Sequence, residues 1–192
     1  DSTSSRASNK ADENLWPNQP MGVDIAGSIQ TVEATSREDL MDYLNKQYTS
    51  SNTVLVVTGN IDEKIVVDIA KKSFEGFREG DPLGFKKSTY NSNGALTVLD
   101  KMETNQTHLT LAFKNYSMKD LSRHSSSILS VILGGGMTSR LFEQVREKRG
   151  LAYSVSSNSH FYSDCGVFYI DAGVAPENTE QTFEVIIEEL NN

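Results

Sequence analysis

Cysteine is nearly absent. The lone Cys165 among 192 residues excludes an internal disulfide framework and a cysteine-based zinc cluster, while leaving the compartment unassigned. Basic charge is scarce as well. With 18 Lys and Arg against 26 Asp and Glu, the net charge is -8, so nothing attracts phosphate backbones or anionic lipid, and nucleic acid is not an expected partner. No apolar run approaches the roughly 18 residues that a membrane helix needs. The polar opening DSTSSRASNK is no signal-peptide core, so a soluble chain without a membrane span is expected. Motifs that hold metals or nucleophiles are missing too: His-Glu-x-x-His, His-x-x-Glu-His, Gly-x-Ser-x-Gly and Cys-x-x-Cys do not occur. The three histidines, His108, His124 and His160, form no His-x-x-His pair and read as hydrogen-bonded structural residues. This chain therefore has no self-contained catalytic engine, no metal ligand set and no cofactor of its own.

What is present falls into four segments. Residues 1–35 show little periodicity and read as a partly mobile N-terminal arm anchored by Trp16. Over residues 36–80 the pattern is α-β-α. Ser36 and Asp39 form a capping box ahead of an apolar stripe of Leu40, Leu44 and Tyr48. The run TVLVVT at 53–58 is continuously apolar and β-branched, as in a strand covered on both faces. A second helix carries Ile65, Val66, Ile69, Ala70 and Phe74; its single preceding glycine, Gly59, cannot form a phosphate cradle. Residues 81–94, rich in Gly, Lys, Ser and Asn, read as a linker.

Residues 95–192 read β-β-α-α-β-β-α. Strands at 95–101 and 107–113 suggest a hairpin, helical period returns over 120–133, and Met137, Leu141, Phe142 and Val145 form the core face of the next helix. Strands at 152–161 and 167–174 flank a Ser-Asp-Cys-Gly turn. Pro176 then opens a last helix with Phe183, Ile186, Ile187 and Leu190 on one face. The expected fold class is α+β, a mainly antiparallel sheet with helices packed on one face. Because the chain begins at Asp1 and stops after a helical pattern, it reads as a piece of a longer protein.

The most informative stretch is LGGGMTSRLFEQVREKRGLAYSV, residues 133–155. Gly134, Gly135 and Gly136 can turn the chain sharply through positive φ, and they can also let backbone and substrate approach closely. Glu143 and Glu147, without a histidine partner, read as a solvated face and not as metal ligands. Arg146 and Tyr153 each allow two readings. Arg146 can pair with Glu143 or donate to substrate carbonyls, and Tyr153 can pack in the sheet or donate to an oxyanion.

This stretch resembles the insulinase/pitrilysin zinc peptidases, particularly the branch of mitochondrial processing peptidase and its two-subunit bacterial relatives. The likeness extends upstream through TSREDLMDYLNKQYTSSNTVLVVTGNID and covers about residues 13 to 190. It implies a family structural unit preceded by the tail of another. In that family a His-x-x-Glu-His motif lies N-terminal to the region matched here, so zinc is implied for the full protein or its partner. The resemblance also implies that Arg146 and Tyr153 reach a peptide substrate near that metal, and that a zinc-bearing segment or related subunit, in a homo- or heterodimer, completes the site. A non-catalytic homologue acting as a scaffold or assembly subunit is the alternative.

Overall fold

The computed structural model describes residues 2–81, 83–91, 94 and 96–192. Its elements in chain order are α1 (Thr3–Leu15), α2 (Ile29–Ala34), α3 (Arg37–Gln47), α4 (Glu63–Ser73), β1 (Thr107–Asn115), α5 (Arg123–Gly134), a π-helix (Phe142–Glu147), β2 (Ala152–Phe161), β3 (Gly166–Val174) and α6 (Thr179–Asn191). They fall into two compact units, one of Asp1–Ile25 with Lys87–Asn192 and the other of Ala26–Lys86.

The larger unit is built on an antiparallel sheet of order β1-β3-β2. As the middle strand, β3 must be covered on both faces, and it reads GVFYIDAGV with eight of its nine residues buried. Phe168, Ile170, Ala172 and Val174 face the main core with Leu133, Leu141, Val145, Val185 and Ile186. Val167 and Tyr169 face the other way, toward Trp16 and Cys165. The fold is thus α+β, as expected, with one addition: α1 and Trp16 directly after it lie on the second face of the sheet.

That addition departs from the arm expected over residues 1–35. Ser2 caps α1 by accepting from Ser5 N, and the helix offers only Ala11 and Leu15 to the aromatic cluster, too little apolar surface to register as a stripe. Trp16 does anchor the segment. It is fully buried, stacked on Tyr90 at 5.6 Å and edge-on to Tyr162 at 6.3 Å, and Tyr169 donates its hydroxyl proton to Asp12.

The expected hairpin does not form. Ala95 lies outside the described residues, as do Pro82, Ser92 and Asn93 of the expected linker, and residues 96–101 are not a strand. β1 pairs with β3 instead. Leu96, Val98 and Leu99 stay more than half exposed, so this segment buries no apolar face that would favour pairing. Further positions depart from the expected core: Met137 and Phe183 lie outward, at 79% and 45% exposure, and of the apolar period over 120–133 only Leu133 is buried, Leu121, Ile128, Leu129 and Ile132 being exposed. In α6 the inward side is Thr182, Val185 and Ile186.

In the smaller unit the local signals hold and the burial does not. Ser36 and Asp39 form their capping box at α3, Ser28 and Thr31 form another at α2, and Asp62 caps α4 through Lys64 N and Ile65 N. Residues 53–58, expected as a covered strand, are unpaired among the described residues, with Val54 at 86% and Val56 at 76% exposure. A strand needs a ladder partner for its N–H and C=O groups, and these described residues supply none.

Candidate functional site

The Gly134–Gly136 triplet lies where α5 meets β2. Ser126, Ser130 and Gly134 recur every fourth residue on α5, a spacing that puts them on one face. Ser126 Oγ lies 3.0 Å from Ser159 Oγ, and Ser157 Oγ donates to Ser130 O at 2.8 Å. A Cβ on Gly134 would stand 2.2 Å from Ser157 N, so glycine lets the helix end touch the strand backbone. None of the three glycines takes positive φ, which corrects the expected left-handed turn. Their contribution is close approach. Gly134 is buried, while Gly135 and Gly136 line an open groove of about 380 Å³ with Val131, Ile132, Thr138, Ser139 and Arg140.

Beyond the groove the chain winds as a π-helix, Phe142–Glu147. Its i→i+5 bonding shows in Lys148 N donating to Glu143 O at 2.9 Å. Val145 is buried on its inner side, Arg140 is tied to Glu189 of α6 at 2.8 Å, and Gly150, at φ +62°, releases the chain toward β2. Such single wide turns are frequent at functional sites. Arg146 sits on this turn, solvent-exposed, with its Cζ 5.0 Å from the Phe142 ring centroid. It does not pair with Glu143, whose carboxylate lies 2.9 Å from Lys148 Nζ.

Tyr153 occupies a β-bulge. Ala152 stands opposite Val174 and Ser154 opposite Gly173, so Tyr153 is the extra residue between them. Strict alternation would send Ala152 and Val155, three apart, to opposite faces, yet both are buried in the same core. The bulge makes that possible and turns Tyr153 out, 60% exposed. Tyr153 therefore does not pack into the sheet core.

On the opposite sheet face lies a polar group that sequence reasoning missed. Thr110 Oγ1 donates to Asp171 Oδ1 at 2.7 Å across the β1–β3 ladder. Burial raises the Asp171 carboxyl above its ordinary value of 3.8, partly opposed by the Thr110 bond and nearby His160 and His108. Asp12 is raised by burial as well, and the Tyr169 hydroxyl bonded to it is pushed up by burial and by that bond. The only sequence signal was Asp171 at an inward register of an apolar strand. Among the described residues no group of three or more His, Cys, Asp or Glu is placed to hold a metal ion, and no helix is long and apolar enough to cross a membrane.

Comparison with known proteins gives a consistent picture. Residues 34–192 match the family model described as the peptidase M16 inactive domain. An uncharacterized zinc protease of Rickettsia felis is 34% identical over 177 residues, 92% of this chain and 42% of the relative. Another, from Bacillus subtilis, is 33% identical over 175 residues, 91% of this chain and 42% of the relative. The chain thus spans about two fifths of the length of these curated relatives. Among solved structures, a peptidase M16 inactive domain from Pseudomonas fluorescens superposes with a TM-score of 0.81 at 24% identity, covering 99% of this chain and 47% of that one. A protease from Helicobacter pylori gives 0.83 at 20% identity, covering 95% and 45%. At these identities the two structures share the fold.

Proposed function

The chain belongs to the peptidase M16 family as an inactive-domain segment, and from that premise we propose that it supplies the substrate side of a peptide-hydrolysing site. The observation that carries this reading is the bulge at Tyr153, which costs the sheet a regular register and delivers a phenol to solvent beside a buried core. Arg146 adds a guanidinium that no carboxylate neutralises among the described residues. Its N–H groups donate to the carbonyls of a bound peptide, holding the backbone in place. The Tyr153 hydroxyl donates to the oxygen of the carbonyl under attack as negative charge gathers there. Gly135 and Gly136, open on the groove, leave room for the peptide backbone; Gly134 serves the α5–β2 contact.

The described residues do not fit a metal. The relatives are named zinc proteases, which supports zinc in the full-length protein; in this reading it sits in another part of that protein or in a related subunit of a homo- or heterodimer, where it would supply an activated water. The test compares this chain with the full-length protein on an internally quenched fluorogenic peptide, with and without zinc. We expect no turnover from this chain, and metal-dependent turnover from the full-length protein or its complex that falls about 100-fold in Tyr153→Phe, the size of one lost oxyanion donor. Turnover by this chain alone, or an unaffected Tyr153→Phe, overturns the reading. A full-length protein and complex inactive on all peptides would leave the scaffold or assembly role.

A further inference from the structure

The run Arg146-Glu147-Lys148-Arg149 places three cations on and just after one wide turn, and the structure treats them differently. Lys148 pairs with Glu143 at 2.9 Å. Arg149 Nη1 donates to Gln144 O and Oε1, both at 2.9 Å. Each partner lies five residues back, the spacing that i→i+5 winding stacks on one side. Five residues before Arg146 is Leu141, fully buried and apolar, and four before it is Phe142, whose ring lies under the guanidinium. In an α-helix the neighbours would instead be three and four apart, and Glu143 would fall beside Arg146.

We propose that the π-turn sorts these charges, and that Lys148 is a positioning residue which holds Glu143 away from Arg146 and so keeps that guanidinium open for a ligand carbonyl. The functional part of this inference rests on the reading of Arg146 as a substrate contact; the sorting of charges does not. Without Lys148, the Glu143 carboxylate, three residues before Arg146, loses its cation and becomes free to swing toward the guanidinium and compete with any ligand for its N–H groups.

Two measurements test it. In this chain, the rate of phenylglyoxal modification at Arg146, read by mass spectrometry of the isolated peptide, reports whether the guanidinium is free. We expect Lys148→Met to slow it about threefold, the scale of an exposed ion pair, and Glu143→Gln added to Lys148→Met to restore it, with thermal midpoints unchanged. An unaltered rate in Lys148→Met, or a loss that Glu143→Gln does not restore, overturns the proposal. In the full-length protein acting on the quenched peptide, Lys148→Met lowers kcat/KM by a similar factor, and has no further effect once Arg146→Ala is present. If labelling behaves as expected but Arg146→Ala leaves turnover unchanged, the charge sorting stands and the substrate-contact reading falls.

Discussion

The two units use the same helix-making rules and differ in what lies behind the helices. In the smaller unit, capping boxes at Ser28 and Ser36 and the Asp62 cap specify three helices, yet Leu40, Ile65 and Ile69 are each about three fifths exposed. In the larger unit α5 has no side-chain cap bond at all and is held by Ser126, Ser130 and Gly134 set against β2. Caps decide where a helix begins; burial decides what it is worth to the fold.

A matched pair sharpens that contrast most. Ile170 is fully buried and Ile69 is 59% exposed, so Ile170→Ala should cost about 2 to 5 kcal/mol while Ile69→Ala stays within about 0.5 kcal/mol. Urea unfolding followed by Trp16 fluorescence reports the first, and hydrogen exchange over α4 the second. Equal costs would mean that α4 buries its apolar face against something else, such as a second copy of the chain.

The glycines give a smaller contrast within one loop. Gly134→Ala forces a methyl group against the Ser157 backbone and should cost about 1 to 3 kcal/mol. Gly136→Ala meets nothing within 4 Å and should stay within about 0.5 kcal/mol in the same thermal melt. The reverse order would remove the close α5–β2 contact as the reason for glycine at 134.

The smallest contrast is in pH dependence, where Asp171 of the larger unit and Asp39 of the smaller one respond with opposite sign. Asp171 holds its proton more tightly folded than unfolded, so its contribution is favourable at low pH and declines as pH rises above 3.8 through the raised folded value. Asp39, stabilised as a carboxylate by the Ser36 hydroxyl and N–H, contributes above 3.8 and loses that contribution as pH falls through its lowered folded value. Hydrogen exchange resolved by unit from about pH 3 to 7 should therefore show Asp171→Asn flattening the response of the larger unit only. A flattened response in both units, or in neither, would contradict this assignment.

Much of this was legible in the sequence because it is local. The Ser36–Asp39 box, the β2 segment and the Pro176 entry to the last helix each depend on residues a few positions apart. TVLVVT at 53–58 and the segment at 95–101 misled for one shared reason: strand propensity describes a surface that pairing must complete, and the partner is not a local property. In α1, Ala11 and Leu15 carry too little apolar area to announce a helix that Trp16 anchors. The candidate site was half visible. Arg146 and Tyr153 could be named, but the π-turn and the bulge could not, although Ala152 and Val155 break the alternation of β2 and the Glu143–Lys148 and Gln144–Arg149 spacings match a five-residue winding.

The bulge at Tyr153 also bears on how this position varies. Because the ladder closes around it, from Ala152 directly to Ser154, position 153 is the one place in β2 where neither the core nor the pleat chooses the residue. On the reading proposed above, the side chain there is free to serve whatever meets it from outside, at little cost to the fold.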